Sequence, residues 1–328
     1  MFACLFSYII GNLFGMEQQN QEGQTMVGME ACTYEKIYFA LWEAARRYQD
    51  FTQFRVIGNS HDDRMIPMLE VGTGQAVVFC LSGLHGTDRQ MPGLLVNMAL
   101  EYCNAYECGW TLEHFYEVKT LLDEVRLCFI PVLNPDGYEI QAQGYSVIRN
   151  PIHRQMLRMK NLPPQEFFYN ARGIDLRKNF PTSFMTRKSL LQEPASENET
   201  KALIRIFQEY NSLGLLSFCK SEKKLIYFRQ PQSFSYNQKS YRLARHLQKC
   251  ADYHLERHPH QNESSCGTSS FGAGSPEQFY GETCRQPAFV LEQMLADPDT
   301  ISSTDSKRKT SYQEAHILPL EYLYSLEE

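Results

Sequence analysis

His85 and Asp88 stand three residues apart in the stretch Ala76-Val-Val-Phe-Cys-Leu-Ser-Gly-Leu-His-Gly-Thr-Asp88. An imidazole and a carboxylate are a usual pair for zinc. H-x-x-D alone is ordinary loop polarity, so its setting decides its weight. Residues 76–82 form an apolar, β-branched run of strand length that breaks at Gly83, and a helical pattern begins by Pro92. Open α/β sheets place their ligands at strand ends of this kind, just ahead of a helix. A second apolar run, Pro287-Ala-Phe-Val-Leu-Glu292, also ends on a carboxylate.

Other residues with chemical potential have plain explanations beside the functional ones. Asn134-Pro-Asp-Gly137 reads as a turn: Asn and Asp bond their own backbone, Pro fixes φ and Gly accepts positive φ. Arg149, Arg154, Arg158 and Lys160 make the stretch after it basic, which suits an anionic peptide or simple surface charge. His254, His258 and His260 share a polar segment with Glu256 and Arg257 and read as solvated surface. Cys103 and Cys108 read as packing residues at a helix end.

The elements that must position these residues follow from periodicity. Helical patterns are expected over 33–48, from Pro92 to about Tyr102, over 118–123, from a capping box at Ser196-Glu-Asn-Glu199 to about Tyr210, and over 240–254. Strands are expected at 54–60, 65–71, 76–82, 125–132, 214–219, 225–228 and 287–292, with a short one near 170–181 and a final apolar pattern at 317–326. Strands alternating with helices specify one α/β domain over 33–328, preceded by a loose, Gln- and Gly-rich segment within 1–32.

The totals narrow the class. The 328 residues are 43% hydrophobic and 21% charged, as in a globular protein with a large core. A net charge of −6 argues against a general nucleic-acid surface. Ten cysteines without a CxxC pair read as reduced thiols. The apolar stretch at 1–15 has no basic residue before it and is too short for a bilayer, and Met16, Met26 and Met29 leave room for a later start. The expectation is a cytoplasmic protein without membrane or nucleic-acid partners.

In series, Ile57-Gly-Asn-Ser60 with Arg64, the His85 loop, Asn134-Pro-Asp-Gly137, Ala171-Arg-Gly-Ile-Asp-Leu-Arg-Lys-Asn-Phe-Pro181, Ser196-Glu-Asn-Glu-Thr-Lys-Ala-Leu203 and residues 287–292 resemble the zinc metallocarboxypeptidase family. The nearest likeness is to its bacterial branch, which cleaves γ-D-glutamyl-diaminopimelate peptides. The resemblance implies a three-layer α/β/α domain on a mixed, twisted sheet, one zinc ion at the strand ends, and a peptide substrate with a free C-terminus. The chemistry it implies is hydrolysis by a zinc-activated water, with a glutamate as general base.

Carried over by position, His85 matches the first zinc ligand and Glu292 the general base. Asp88 stands where the family has Glu, and Cys219 where it has the distant His. The family's Asp-x-Asn-Arg-Asn run reads Asp175-Leu-Arg-Lys-Asn179, which puts Arg177, Lys178 and Asn179 at the grip on the substrate carboxylate. Arg149 lies near the arginine that polarises the scissile carbonyl, and Phe271 near the family's mobile Tyr, with Tyr280 further along. Two readings follow. One is a working peptidase with a His/Asp/Cys zinc set. The other is a carboxypeptidase-like remnant whose zinc is weak or absent and whose pocket binds a peptide or nothing.

Overall fold

The computed structural model describes residues 33–183, 193–256 apart from 222 and 229, 274–293 and 305–327. The segment 1–32, Phe271, His258 and His260 lie outside the described residues.

Eight strands form one mixed sheet: β1 Thr52–Asn59, β2 Met65–Val71, β3 Ala76–Leu81, β4 Val125–Ile130, β5 Ser212–Lys220, β6 Leu225–Tyr227, β7 His254–Glu256 and β8 Ala288–Gln293. Their order across the sheet is β1-β2-β4-β3-β5-β8-β6-β7. The centre is parallel, with β3 beside β4 and β5, and β8 beside β5. Antiparallel pairs join β1 to β2, β2 to β4, and β8 to β6.

Alternation along β3 shows how the layers arise. Val78 and Cys80 face one side, packing with α1 (Tyr34–Arg47), α2 (Gln90–Cys108), α3 (Val118–Glu124), α7 (Phe234–Cys250) and α9 (Asp305–Glu327). Val77, Phe79 and Leu81 face the other, packing with α6 (Asn198–Glu209) and α8 (Pro276–Thr283). A strand apolar on both faces needs cover on both, and the helices supply it. The result is the expected α/β fold, a mixed sheet between two helical layers.

Several local expectations are corrected. Asn134-Pro-Asp-Gly137 is not a free turn: Asn134 caps helix α4 (Pro135–Gln143), accepting from the Gly137 N–H at 2.9 Å, with Pro135 in the first turn. The same chemistry that favours a turn favours a helix start when apolar residues follow. The basic stretch is partly helical, as its sequence allows, with α5 at Pro151–Arg158. No strand forms near 170–181; Leu176–Lys178 is a single 3-10 turn. Helix α6 begins one step after Glu197, whose side chain makes no capping bond, because Ser196 instead bonds Asn179 and Glu197. Helix α2 runs on to Cys108, and α7 starts earlier and ends earlier than its basic residues suggested. His254 lies on the short strand β7. Cys80, Cys103, Cys128 and Cys219 are buried free thiols.

Candidate active site

The loop after β3 is fixed before any side chain meets a ligand. Asn134 donates to the Leu84 and Tyr169 carbonyls at 3.0 and 3.1 Å, tying the His85 loop to the segment behind it. Gly86 sits where a Cβ would approach the Gly137 carbonyl oxygen to 2.3 Å, so only glycine fits this close crossing. The Asp88 N–H donates to the His85 carbonyl at 3.1 Å, closing a turn that presents both side chains inward. His85 and Asp88 are each 1% exposed.

His85 is held as a metal-binding histidine is held. Its Nε2 lies 3.2 Å from Asp175 Oδ1, an oxygen that also accepts the Arg177 N–H at 3.0 Å. With the proton on Nε2, the lone pair is on Nδ1, which is buried and has no hydrogen-bond partner among the described residues. Lys178 Nζ holds the second Asp175 oxygen at 3.0 Å. Burial alone would raise the Asp175 pKa; the hydrogen bond from His85 and the Lys178 ammonium outweigh that and hold it well below the usual carboxylate range.

The other half of the site is arranged differently. Cys219 and Glu292 are register partners on the parallel strands β5 and β8, so they share one face of the sheet, where Cys219 packs with Leu225, Tyr227 and Val290. Between Cys219 and Asp88 lies a guanidinium. Arg177 Nη2 donates to Cys219 Sγ at 2.6 Å and stands 3.9 Å from Asp88 Oδ2. Asp88 Oδ1 also accepts the Lys220 N–H at 3.4 Å. Arg177 is only 2% exposed. Burial favours its neutral form, but the hydrogen bond to Cys219 and the Glu277 and Asp88 carboxylates outweigh burial and keep it charged. Burial pushes the Cys219 thiol up, against the pull of Arg177.

The zinc fit therefore splits. His85 offers a correctly oriented donor, whereas Asp88 and Cys219 already serve a cation that cannot dissociate. Among the described residues no three His, Cys, Asp or Glu side chains are placed to hold a metal ion. The residues as arranged do not fit zinc, whose bonds to sulfur and oxygen need about 2.0–2.3 Å.

The remaining expected residues are divided between site and frame. Lys178 is half-exposed at the rim. Asn179 is buried: its amide donates to Glu193 O at 3.2 Å and Ser196 Oγ at 3.0 Å, and its oxygen accepts the Glu197 N–H at 3.2 Å. The Arg149 backbone N–H donates to Asp62 at 3.0 Å, and the residue is exposed. Tyr280 is core, its hydroxyl donating to Ser212 Oγ at 2.8 Å.

Glu277 escapes a reading of the sequence. It sits in the first turn of α8, 0% exposed, with neither carboxylate oxygen hydrogen-bonded among the described residues. The signal was present in Ser275-Pro276-Glu277, a cap, a first-turn proline and an acid, since Ser275 caps α8 by accepting the Gln278 N–H at 3.1 Å. Gly274, at φ 96°, turns the chain into that cap against the Lys178 backbone, bringing Glu277 and Arg177 to one pocket.

A strand-end site of this kind on a sheet covered by helices on both faces defines a carboxypeptidase-like α/β protein. The model of the family "Zinc carboxypeptidase" matches residues 37–292, and the chain belongs to that family. Among curated proteins it is similar to the uncharacterized protein YqgT of Bacillus subtilis, 29% identical over 143 residues, which cover 42% of this chain and 37% of that one. It is also similar to the carboxypeptidase N catalytic chain of Rattus norvegicus, 26% identical over 161 residues, or 45% of this chain and 30% of that one. The matched segments thus span well under half of these relatives. Among solved structures, bovine thrombin-activatable fibrinolysis inhibitor superposes with a TM-score of 0.67 at 16% identity, covering 91% of this chain and 98% of that one. Carboxypeptidase A of Helicoverpa armigera gives 0.66 at 13% identity, covering 100% and 81%. At these identities the superpositions speak for the fold. No helix among the described residues is long and apolar enough to cross a membrane.

Proposed function

We propose that this chain is a non-hydrolytic member of its family, which holds peptides by a free C-terminal carboxylate without cleaving them through a metal-bound water. The observation that carries this is Arg177 Nη2 at 2.6 Å from Cys219 Sγ, a fixed cation inside the ligand set. Sites of this type act as units, so losing one ligand to a guanidinium disables the rest. Peptide capture draws on family membership and on Lys178, a half-exposed ammonium at the rim that can meet a carboxylate as a point charge. Wall-derived γ-glutamyl peptides belong to the same ligand class, as carriers of a free C-terminus.

The test pairs binding with turnover. Full-length protein given zinc is mixed with peptides ending in a free acid, a γ-glutamyl-diaminopimelate peptide among them, and with their C-terminal amides. Binding measured by calorimetry should favour the acids by at least about tenfold, with no residue released. Release that depends on zinc and stops with a chelator would restore the peptidase reading. Equal binding of acid and amide would remove the carboxylate grip.

A further inference from the structure

The charge pattern around Arg177 points beyond loss of function. Residues 177 and 178 are adjacent cations on one 3-10 turn, yet one is 2% exposed and the other's side chain is 53% exposed. A sealed guanidinium is unfavourable unless carboxylates compensate it. Asp88 and Glu277 do so, both buried and both acting on Arg177 through charge. The Glu277 carboxylate makes no hydrogen bond to Arg177 or to any other described group, and Arg177 Nε and Nη1 are likewise without hydrogen-bond partners there. The pocket is thus matched in charge but not in hydrogen bonds. A pocket shaped around a guanidinium would saturate its planar fork. A pocket shaped around a spherical ion has no fork to saturate.

We infer that Arg177 is a tethered stand-in for the family's metal ion: its guanidinium takes up the space between Asp88 and Cys219 and supplies the positive charge that lets Asp88 and Glu277 stay buried. This rests on the non-hydrolytic reading and deepens it, because it states what the pocket gained when the ion was lost. It also implies that the pocket is latent. Vacating it would release Asp88 and Cys219 from the guanidinium they now meet, while His85 Nδ1 is already buried without a hydrogen bond among the described residues. Asn is the residue the family run has at this position, so Arg177→Asn is the smallest vacating change.

Cobalt(II) is the probe, since a cobalt–thiolate bond has its own near-ultraviolet charge-transfer band. Wild-type protein should show no such band and no rise in melting temperature with cobalt or zinc. Arg177→Asn should be less stable than wild type without metal, should recover with zinc, and should bind cobalt about 100-fold more tightly, with the thiolate band present. Adding Cys219→Ser should abolish the band. If Arg177→Asn alone does not fold, Arg177→Asn/Glu277→Gln removes one stranded carboxylate and is read the same way. A folded vacated variant that stays metal-free, or one as stable as wild type without metal, overturns the inference while leaving the non-hydrolytic reading standing. A wild type that binds cobalt through Cys219 overturns both.

Discussion

Arg64 and Arg177 are both guanidiniums withdrawn from water by the same fold, and their surroundings are opposites. Arg64 Nη1 lies 2.8 Å from Asp62 and 2.8 Å from Asp136, and its Nη2 donates to the Val147 carbonyl at 2.8 Å. Asp136 is filled in turn, by Ser60 Oγ at 2.7 Å and the Asp62 N–H at 2.9 Å. Arg177 has a thiol at 2.6 Å, an Asp88 oxygen at 3.9 Å, and two donors without hydrogen bonds among the described residues. The first cluster is a finished joint between the β1–β2 turn and α4. The second is a pocket whose present occupant matches its charge and not its shape. Unsatisfied buried groups call for an explanation, and Arg177 and Glu277 are among those this fold holds.

Breaking the finished joint should have the largest effect. Asp136→Ala leaves Arg64 with one carboxylate in place of two and strands the Ser60 hydroxyl and the Asp62 N–H, and we expect a loss of about 3–5 kcal/mol in urea unfolding. Glu277→Gln, in the unfinished pocket, should lose less, about 1–2 kcal/mol, because no hydrogen bond goes with the charge. An equal loss in the two variants would erase the distinction between the clusters.

A third variant sharpens the comparison through pH. Glu199 adjoins the finished cluster, is 0% exposed, and accepts the His61 N–H at 3.3 Å. Burial first, then the Asp136 charge, push its pKa up from 4.5 to about 8. The folded state therefore keeps a proton that the unfolded chain releases near pH 4.5, so stability falls as pH rises from there to about 8. Asp136, raised by burial against the pull of Ser60 and Arg64, adds to the same slope. His61, lowered by burial and by His153, works against it. Subtracting the melting curve of Glu199→Gln from that of wild type isolates Glu199. The wild type should lose a few degrees relative to the variant between pH 5 and 8, on the order of 2–4 °C per kcal/mol, and a flat difference would show that Glu199 ionises normally. The smallest effect belongs to Lys178→Met. An ion pair on a half-exposed side chain should change stability by less than about 1 kcal/mol, while binding of acid-ended peptides weakens.

The frame of this site is legible in the sequence because it rests on short-range signals. The runs ending at Ser82, Cys219 and Glu292 are strands by composition, and Gly83 breaks the first where the loop begins. What sequence does not reveal is which of two neighbouring cations goes inside. Arg177 and Lys178 read as one carboxylate grip, yet consecutive residues of a 3-10 turn point about 120° apart. The inward place is affordable only to the side chain met by Asp88 and Glu277, which lie about ninety and a hundred residues away along the chain. Asn179 illustrates the same limit: beside two cations it reads as a substrate contact, while its three hydrogen bonds tie it to the start of α6. Asn134 was a turn by its dipeptides and a helix cap by what packs behind it.

The place of β8 in the sheet carries a consequence for how the protein is made. Among the described residues it is the last strand of the sheet in sequence, yet it lies between β5 and β6. Until residue 293 has left the ribosome, β5 has one open edge and β6 lacks its antiparallel partner. The Cys219 end of the pocket then has no neighbour across the gap. Roughly nine-tenths of the chain must wait with an unpaired parallel edge, at a synthesis rate of about 5–20 residues per second. Such an edge recruits other strands if left uncovered. A ribosome-arrested chain ending before residue 288 should therefore be readily degraded by added protease, and one long enough to expose residues past 293 should resist it.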